Sequence, residues 1–168
     1  MNKIFIISFS LLTILFLSCN VQTEKSELKS FPVNDLNGII TMSGIQFDKN
    51  ISSDGNGSIK IDAAGPIAIP LYIIDDVKVE DTQVIYEAKI KSEGLSGQAY
   101  LEMWCVLKDN GEFFSRGFDS VISGSTDWKT IRTVFNLKKG ETPDQFKLNV
   151  VVNGVGTIWI DDIHLSKI

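Results

Sequence analysis

The sequence is poor in the residues that most often carry chemistry. It has one histidine and two cysteines in 168 residues. One imidazole and so few thiols cannot complete a zinc site of four nitrogen and sulfur ligands. Any serine or cysteine triad would depend on His164, and no Gly-x-Ser-x-Gly turn is present for it to serve. No segment of helix length holds a 3.6-residue apolar period, and nothing repeats at a fixed interval, which excludes solenoids and propellers. Clustered basic residues are also missing. Sixteen Lys and Arg against 21 Asp and Glu leave a net charge of −5, the wrong sign for a phosphate backbone, so no nucleic acid is expected as a partner. The run Gly154-Val155-Gly156 lacks the third glycine and the following helix of a dinucleotide site and reads as a hairpin turn.

What is present begins with a leader. Lys3, an apolar run from Ile4 to Leu17, then Ser18 and Cys19 form the three parts of a signal peptide. The run is shorter than the ~20 residues of a comfortable membrane span. Its ending, Leu15-Phe16-Leu17-Ser18-Cys19, resembles a bacterial lipobox, with Phe16 in place of the usual Leu. That resemblance implies cleavage before Cys19 and lipidation of its thiol. The expected organisation is a lipoprotein signal peptide over 1–18, a flexible tether over 19–30 and one folded domain over 31–168. The expected location is the bacterial cell envelope, on the outer membrane or cell surface, held to the membrane by the N-terminal lipid. With Cys19 acylated, Cys105 has no partner for a disulfide and is expected to serve as a buried apolar side chain.

Strand signals then recur about every ten residues. "GIITMSGIQFD" is apolar and β-branched, Ser52–Gly57 is turn chemistry, and Ser58–Asp62 restarts a strand with Ile59 and Ile61 on one side. Pro70 inside "IAIPLYII" predicts an edge strand or a bulge, because proline cannot donate to a ladder. Val84, Tyr86, Ala88 and Ile90 share a face, as do Ala99, Leu101, Met103, Cys105 and Leu107. Tyr100, Glu102, Trp104 and Val106 take the face opposite the latter set. Ile131, Thr133, Phe135 and Leu137 form a further inward set, and so do Phe146, Leu148, Val150 and Val152. Such strands must bury one apolar face each by stacking two sheets, which predicts an all-β sandwich.

Three stretches in order carry a family resemblance. "SSDGNGSIKI", "STDWKTIRTVFNL" and "GVGTIWIDDIHL" resemble the early loop and strand, the tryptophan-led strand and the closing strand of galactose-binding-like jelly rolls. The resemblance spans roughly residues 35–168. It implies a jelly-roll β-sandwich of two antiparallel sheets. This fold class includes many carbohydrate-binding modules, alongside domains that bind other ligands or proteins, so fold does not settle function.

In the last strand, Ile158 and Ile160 alternate on one phase, and Ile163 and Leu165 on the other. The slip at Asp161–Asp162 predicts a β-bulge, with Asp161 pointing out and Asp162 pointing back toward the sandwich edge. The resemblance implies a structural calcium near that edge, drawing on Asp162 and on the oxygen-rich early loop, with Asp48 and Asp54 as further ligands. The competing reading makes Asp162 an acceptor of backbone N–H groups and Asp54 a turn former.

The segment most like a binding site is Tyr100, Glu102 and Trp104 on the outward face, with Arg116 and Asp119 from "GEFFSRGFDS" beyond the turn. Flat aromatics suit the apolar face of a sugar ring, and the polar groups would fix its orientation. Alternatively the Phe-rich segment folds over Trp104 and covers it. A glycosidase needs only two carboxylates about 5–9.5 Å apart, but short loops leave little wall for a deep active site, and no catalysis is expected. The function expected is binding of a carbohydrate or glycan. A structural module that meets an envelope protein partner is the alternative, and a small hydrolase comes third.

Overall fold

The structure, a computed structural model, describes residues 24–108 and 110–168. The expected signal peptide over 1–18 and the expected lipidation site Cys19 lie outside the described residues. Eight strands follow in order: β1 Ser26–Phe31, β2 Gln46–Asp48, β3 Ser58–Ala63, β4 Ile67–Asp75, β5 Gln83–Leu107, β6 Gly111–Arg116, β7 Ile122–Asn136 and β8 Pro143–Lys167.

β5 and β8 are 25 residues each and pair antiparallel along their whole length. Each serves two layers. The first half of β5 and the second half of β8 lie between β7 on one side and β3 and β1 on the other, with β2 beyond β3. The second half of β5 and the first half of β8 lie between β6 and β4. The result is an all-β jelly-roll sandwich whose layers share their two central strands. Ile59, Ile90, Leu101, Met103, Phe146, Leu148, Ile158 and Ile160 from both layers are fully buried in one core. Cys105 sits among them, and burial pushes its thiol up to about 12, so it packs as an apolar side chain.

The change of layer explains "GVG". The stretch is no hairpin turn: β8 continues through it, with Gly154 opposite Gly97 of β5. A Cβ on Gly154 would lie 1.6 Å from the Ser96 carbonyl oxygen, and one on Gly97 would lie 2.1 Å from that of Asn153. The two backbones cross too closely for any side chain, so alternation resumes beyond the crossing without a reversal of direction.

Two other expectations change, and one holds. Ser26–Phe31, placed mostly in the tether, is a strand paired with Ile163–Lys167, so the fold begins before residue 31. The Glu24–Ser30 stretch has little apolar content, and Leu28 with Phe31 supplies the packing, Phe31 stacking on Tyr72 at 3.8 Å. "GIITMSGIQFD" yields strand only at Gln46–Asp48, since Gly38 and Gly44 at positive φ turn the chain across β4. Pro70 behaves as its chemistry demands. β4 pairs only with β8, and its register shifts between Pro70 and Tyr72.

Candidate functional site

The outward face of the β6–β5–β8–β4 layer is built from cross-strand rows. Glu102 of β5 stands opposite Arg116 of β6 and Asn149 of β8; Trp104 stands opposite Phe114 and Lys147. The rows converge on one carboxylate. Trp104 Nε1 donates to Glu102 Oε1 at 2.8 Å, Asn149 Nδ2 donates to the same oxygen at 3.0 Å, and Arg116 Nε donates to Oε2 at 2.7 Å. Glu102 is only 5% exposed. Burial pushes its carboxyl up, but the bonds from Arg116, Trp104 and Asn149 outweigh it and hold the group below the usual carboxylate range. The Arg116 guanidinium lies 4.5 Å over the Phe114 ring, and Phe114 leans on Trp104 at 5.0 Å and 46°.

Glu102, Trp104 and Arg116 therefore come together, but their roles differ from expectation. Glu102 is saturated from within the protein and positions its neighbours. Trp104 is half-buried. The Phe-rich segment does not fold over it: β6 runs beside β5, leaving Phe114 50% exposed next to Trp104. Tyr100 is not presented. It is 7% exposed, with Phe118 edge-on at 4.8 Å. Asp119 lies in the exposed turn after Gly117 and, among the described residues, makes no hydrogen bond to the other four. Sequence reasoning missed Asn149 and Lys147. Their outward phase was legible, but not their register against Glu102 and Trp104.

The opposite outer face, on the layer containing β3 and β7, is of another kind. Ion pairs Lys60–Asp62, Lys89–Asp162 and Lys91–Asp127 lace it, and its Trp159 is buried with the indole N–H bonded to Asp48 Oδ2 at 3.0 Å.

No protein-family model matches the chain, and no curated protein does either. Solved structures do. The CBM22-1–GH10 modules of an endo-1,4-beta-D-xylanase from Clostridium thermocellum, complexed with xylohexaose, superpose with a TM-score of 0.62 at 11% identity, over 84% of this chain and 28% of that one. The CBM22-1 xylan-binding domain of a Paenibacillus barcinonensis protein gives 0.56 at 13% identity, over 84% and 94%. A family 16 carbohydrate-binding module gives 0.53 at 14% identity, over 73% and 84%. The fold is that of the β-sandwich carbohydrate-binding modules.

On this module fold the closing strand holds a different acid from the one expected. The bulge is present: two residues of β8, Asp162 and Ile163, oppose Ala88 alone, and Asp162 takes φ 50°. That left-handed residue reverses the phase. Asp161 is 0% exposed and faces the early loop, accepting the Ser53 N–H at 2.8 Å and the Asp162 N–H at 2.8 Å, with Ser52 Oγ at 3.4 Å. Asp162 points to the opposite side, to His164 Nε2 at 2.8 Å and Lys89 Nζ at 3.0 Å. Asp48 serves Trp159 and the backbone of Asn50 and Ile51, and Asp54 serves Ser52 and Asn56. Asp48, Asp54 and Asp162 thus do not fit one calcium site, and among the described residues no three His, Cys, Asp or Glu side chains converge as metal ligands. His164, which has no triad to serve, is held on both ring nitrogens, Nδ1 facing Glu27 Oε2 at 2.7 Å and Nε2 facing Asp162.

Proposed function

We propose that this chain is a non-catalytic, lipid-anchored protein of the bacterial envelope whose sandwich binds a carbohydrate on the outward face of the β6–β5–β8–β4 layer. The observation that supports this most is the exposed Phe114–Trp104 surface beside an internally saturated Glu102 that fixes both the indole and the Arg116 guanidinium. Such a surface offers an apolar plane to a sugar ring and pre-set polar groups to its substituents, without conformational entropy left to lose. The solved modules of the same fold include proteins named for xylan binding, which favours the same ligand class. The Lys3-to-Cys19 leader supports attachment by lipid rather than by the acidic protein surface.

A second reading has its own observation. Phe114 and Phe118 are 50% and 57% exposed, beside the outward Trp104 and Tyr100, and such apolar surface suits a protein partner. The deciding experiment is a glycan array probed with the full chain and with Trp104→Ala. Under the carbohydrate reading wild type gives hits, and the variant loses about 10-fold or more in affinity, the equivalent of ~1.4 kcal/mol. Its stability falls by less than the ~3–5 kcal/mol of a core Trp truncation. No glycan hit for the wild type would overturn the reading.

A further inference from the structure

We propose that the face takes an anionic glycan, a chain bearing uronic-acid carboxylates, through the free edge of the Arg116 guanidinium; this inference rests on the carbohydrate reading above.

Both oxygens of Glu102 accept bonds from inside the protein, and the group is buried. Asn149 donates one amide N–H to Glu102, and its Oδ1 is buried, with no hydrogen-bond partner among the described residues. The two acceptors at the centre of the face are therefore closed to a ligand. What the cluster shows to solvent is a donor. The Arg116 side chain is 37% exposed, and among the described residues only its Nε makes a hydrogen bond. Two amino groups with four N–H bonds remain, lying in one plane as a fork that matches a carboxylate bidentately.

The fork is also held in place. The Nε bond to Glu102 fixes it at one end, and the Phe114 ring supports its plane at 4.5 Å. Arginine immobilised in this way forms a paired hydrogen bond with little further loss of freedom. A second cation borders the same aromatic surface. Lys147 stands opposite Trp104 from the β8 side, its ammonium bonded at 2.9 Å to Glu112 in an exposed pair that a ligand can exchange at small cost. Donors thus flank the Trp104–Phe114 surface on two sides. A neutral sugar can accept from Arg116 through a hydroxyl oxygen, but its hydroxyl hydrogens find no open acceptor at Glu102 or Asn149, and the exposed Glu112 nearby is already paired with Lys147. A uronate brings an acceptor pair of the geometry Arg116 presents. The net charge of −5 rules out long-range steering of such a ligand, so the preference must come from pairing at contact.

The test titrates the full chain with a panel of uronate-bearing glycans, each paired with its own carboxyl-reduced form, and with neutral xylohexaose. Wild type should bind at least one uronate chain about 10- to 100-fold more tightly than its reduced form, the loss expected for one charge-assisted pair. Arg116→Gln should abolish that difference while leaving the circular-dichroism spectrum unchanged; Arg116→Lys, a charge without a fork, should restore only part of it. Equal affinity for charged and reduced chains, or a difference that survives in Arg116→Gln, overturns this inference and leaves the carbohydrate reading standing. Absence of binding to every chain, xylohexaose included, overturns both.

Discussion

Replacing Glu102 by Gln tests the centre of the face without changing its shape. In the wild type the carboxylate accepts three hydrogen bonds while only 5% exposed. Glutamine keeps one acceptor oxygen, enough for Trp104 Nε1 and Asn149 Nδ2. Its amide nitrogen must then face Arg116 Nε, donor against donor. The lost bond is charge-assisted, worth about 1.5–3 kcal/mol when intact, and part of that returns because the half-exposed Arg116 can turn to water. We expect Glu102→Gln to lose ~1–2 kcal/mol. Glu102→Ala also strands the indole and the buried amide, and should lose ~3–5 kcal/mol at about 1–3 kcal/mol per buried unsatisfied group.

The pH dependence separates this account from simple loss of packing. The folded-state carboxyl is held below its unfolded value by the bonds from Arg116, Trp104 and Asn149, which outweigh the opposing effect of burial. A depressed carboxyl contributes stability that is fully present above the ordinary Glu range and is lost as pH falls through the folded value. Urea unfolding near neutrality and again in the acid range should show the wild type losing more stability than Glu102→Gln, so that the gap between them closes in acid. A variant as stable as wild type near neutrality, or a gap that stays constant into acid, would refute the reasoning.

Further consequences follow from other parts of the sandwich. His164 lies between Glu27 and Asp162, and hydrogen bonds to these two outweigh burial and raise its pKa above the ordinary value of 6.5. Stability from this group is complete below that value and is lost as pH rises through the folded one, so His164→Gln should flatten the decline in stability as pH rises above that value, read by urea melts. Asp161→Ala should cost ~2–4 kcal/mol by freeing the Ser53 and Asp162 N–H groups in a buried site, whereas the half-exposed Asp162→Ala should cost clearly less; equal losses would contradict the orientation of the bulge. Gly154→Ala drives a Cβ into the Ser96 carbonyl and should prevent folding to the native state, measured as loss of the cooperative thermal transition.

Alternation along single strands was readable because period-two burial depends on local sequence alone. Leu101, Met103 and Cys105 are each 0% exposed as their phase requires. The face opposite them was read correctly as a face, but its exposure was not. That quantity is set by neighbours on β6 and β8, which sequence does not register. Tyr100 is sealed by Phe118 from a turn, and Glu102 is closed by Asn149, some 47 residues away in the chain. The bulge shows the same limit in reverse. The phase slip located it, but which acid faces inward depends on where the extra residue takes its left-handed φ. That residue is Asp162, and Asp161 goes in.

The two long strands explain why the candidate face is held so firmly. β5 and β8 each pass from one layer to the other, so Glu102 and Asn149 stand on the same backbones that carry Ile90 and Ile158 into the opposite sheet. The face cannot shift without moving the core of both layers. A binding surface of this kind gains affinity from being fixed beforehand rather than from closing on its ligand. The most exposed part of the face is Phe114 and Arg116 on β6, a strand that among the described residues pairs with β5 alone. If the face binds as proposed, rigidity resides in β5 and β8, and selectivity rests largely on β6. Substitutions that retune ligand choice at small cost in stability should accordingly fall on β6.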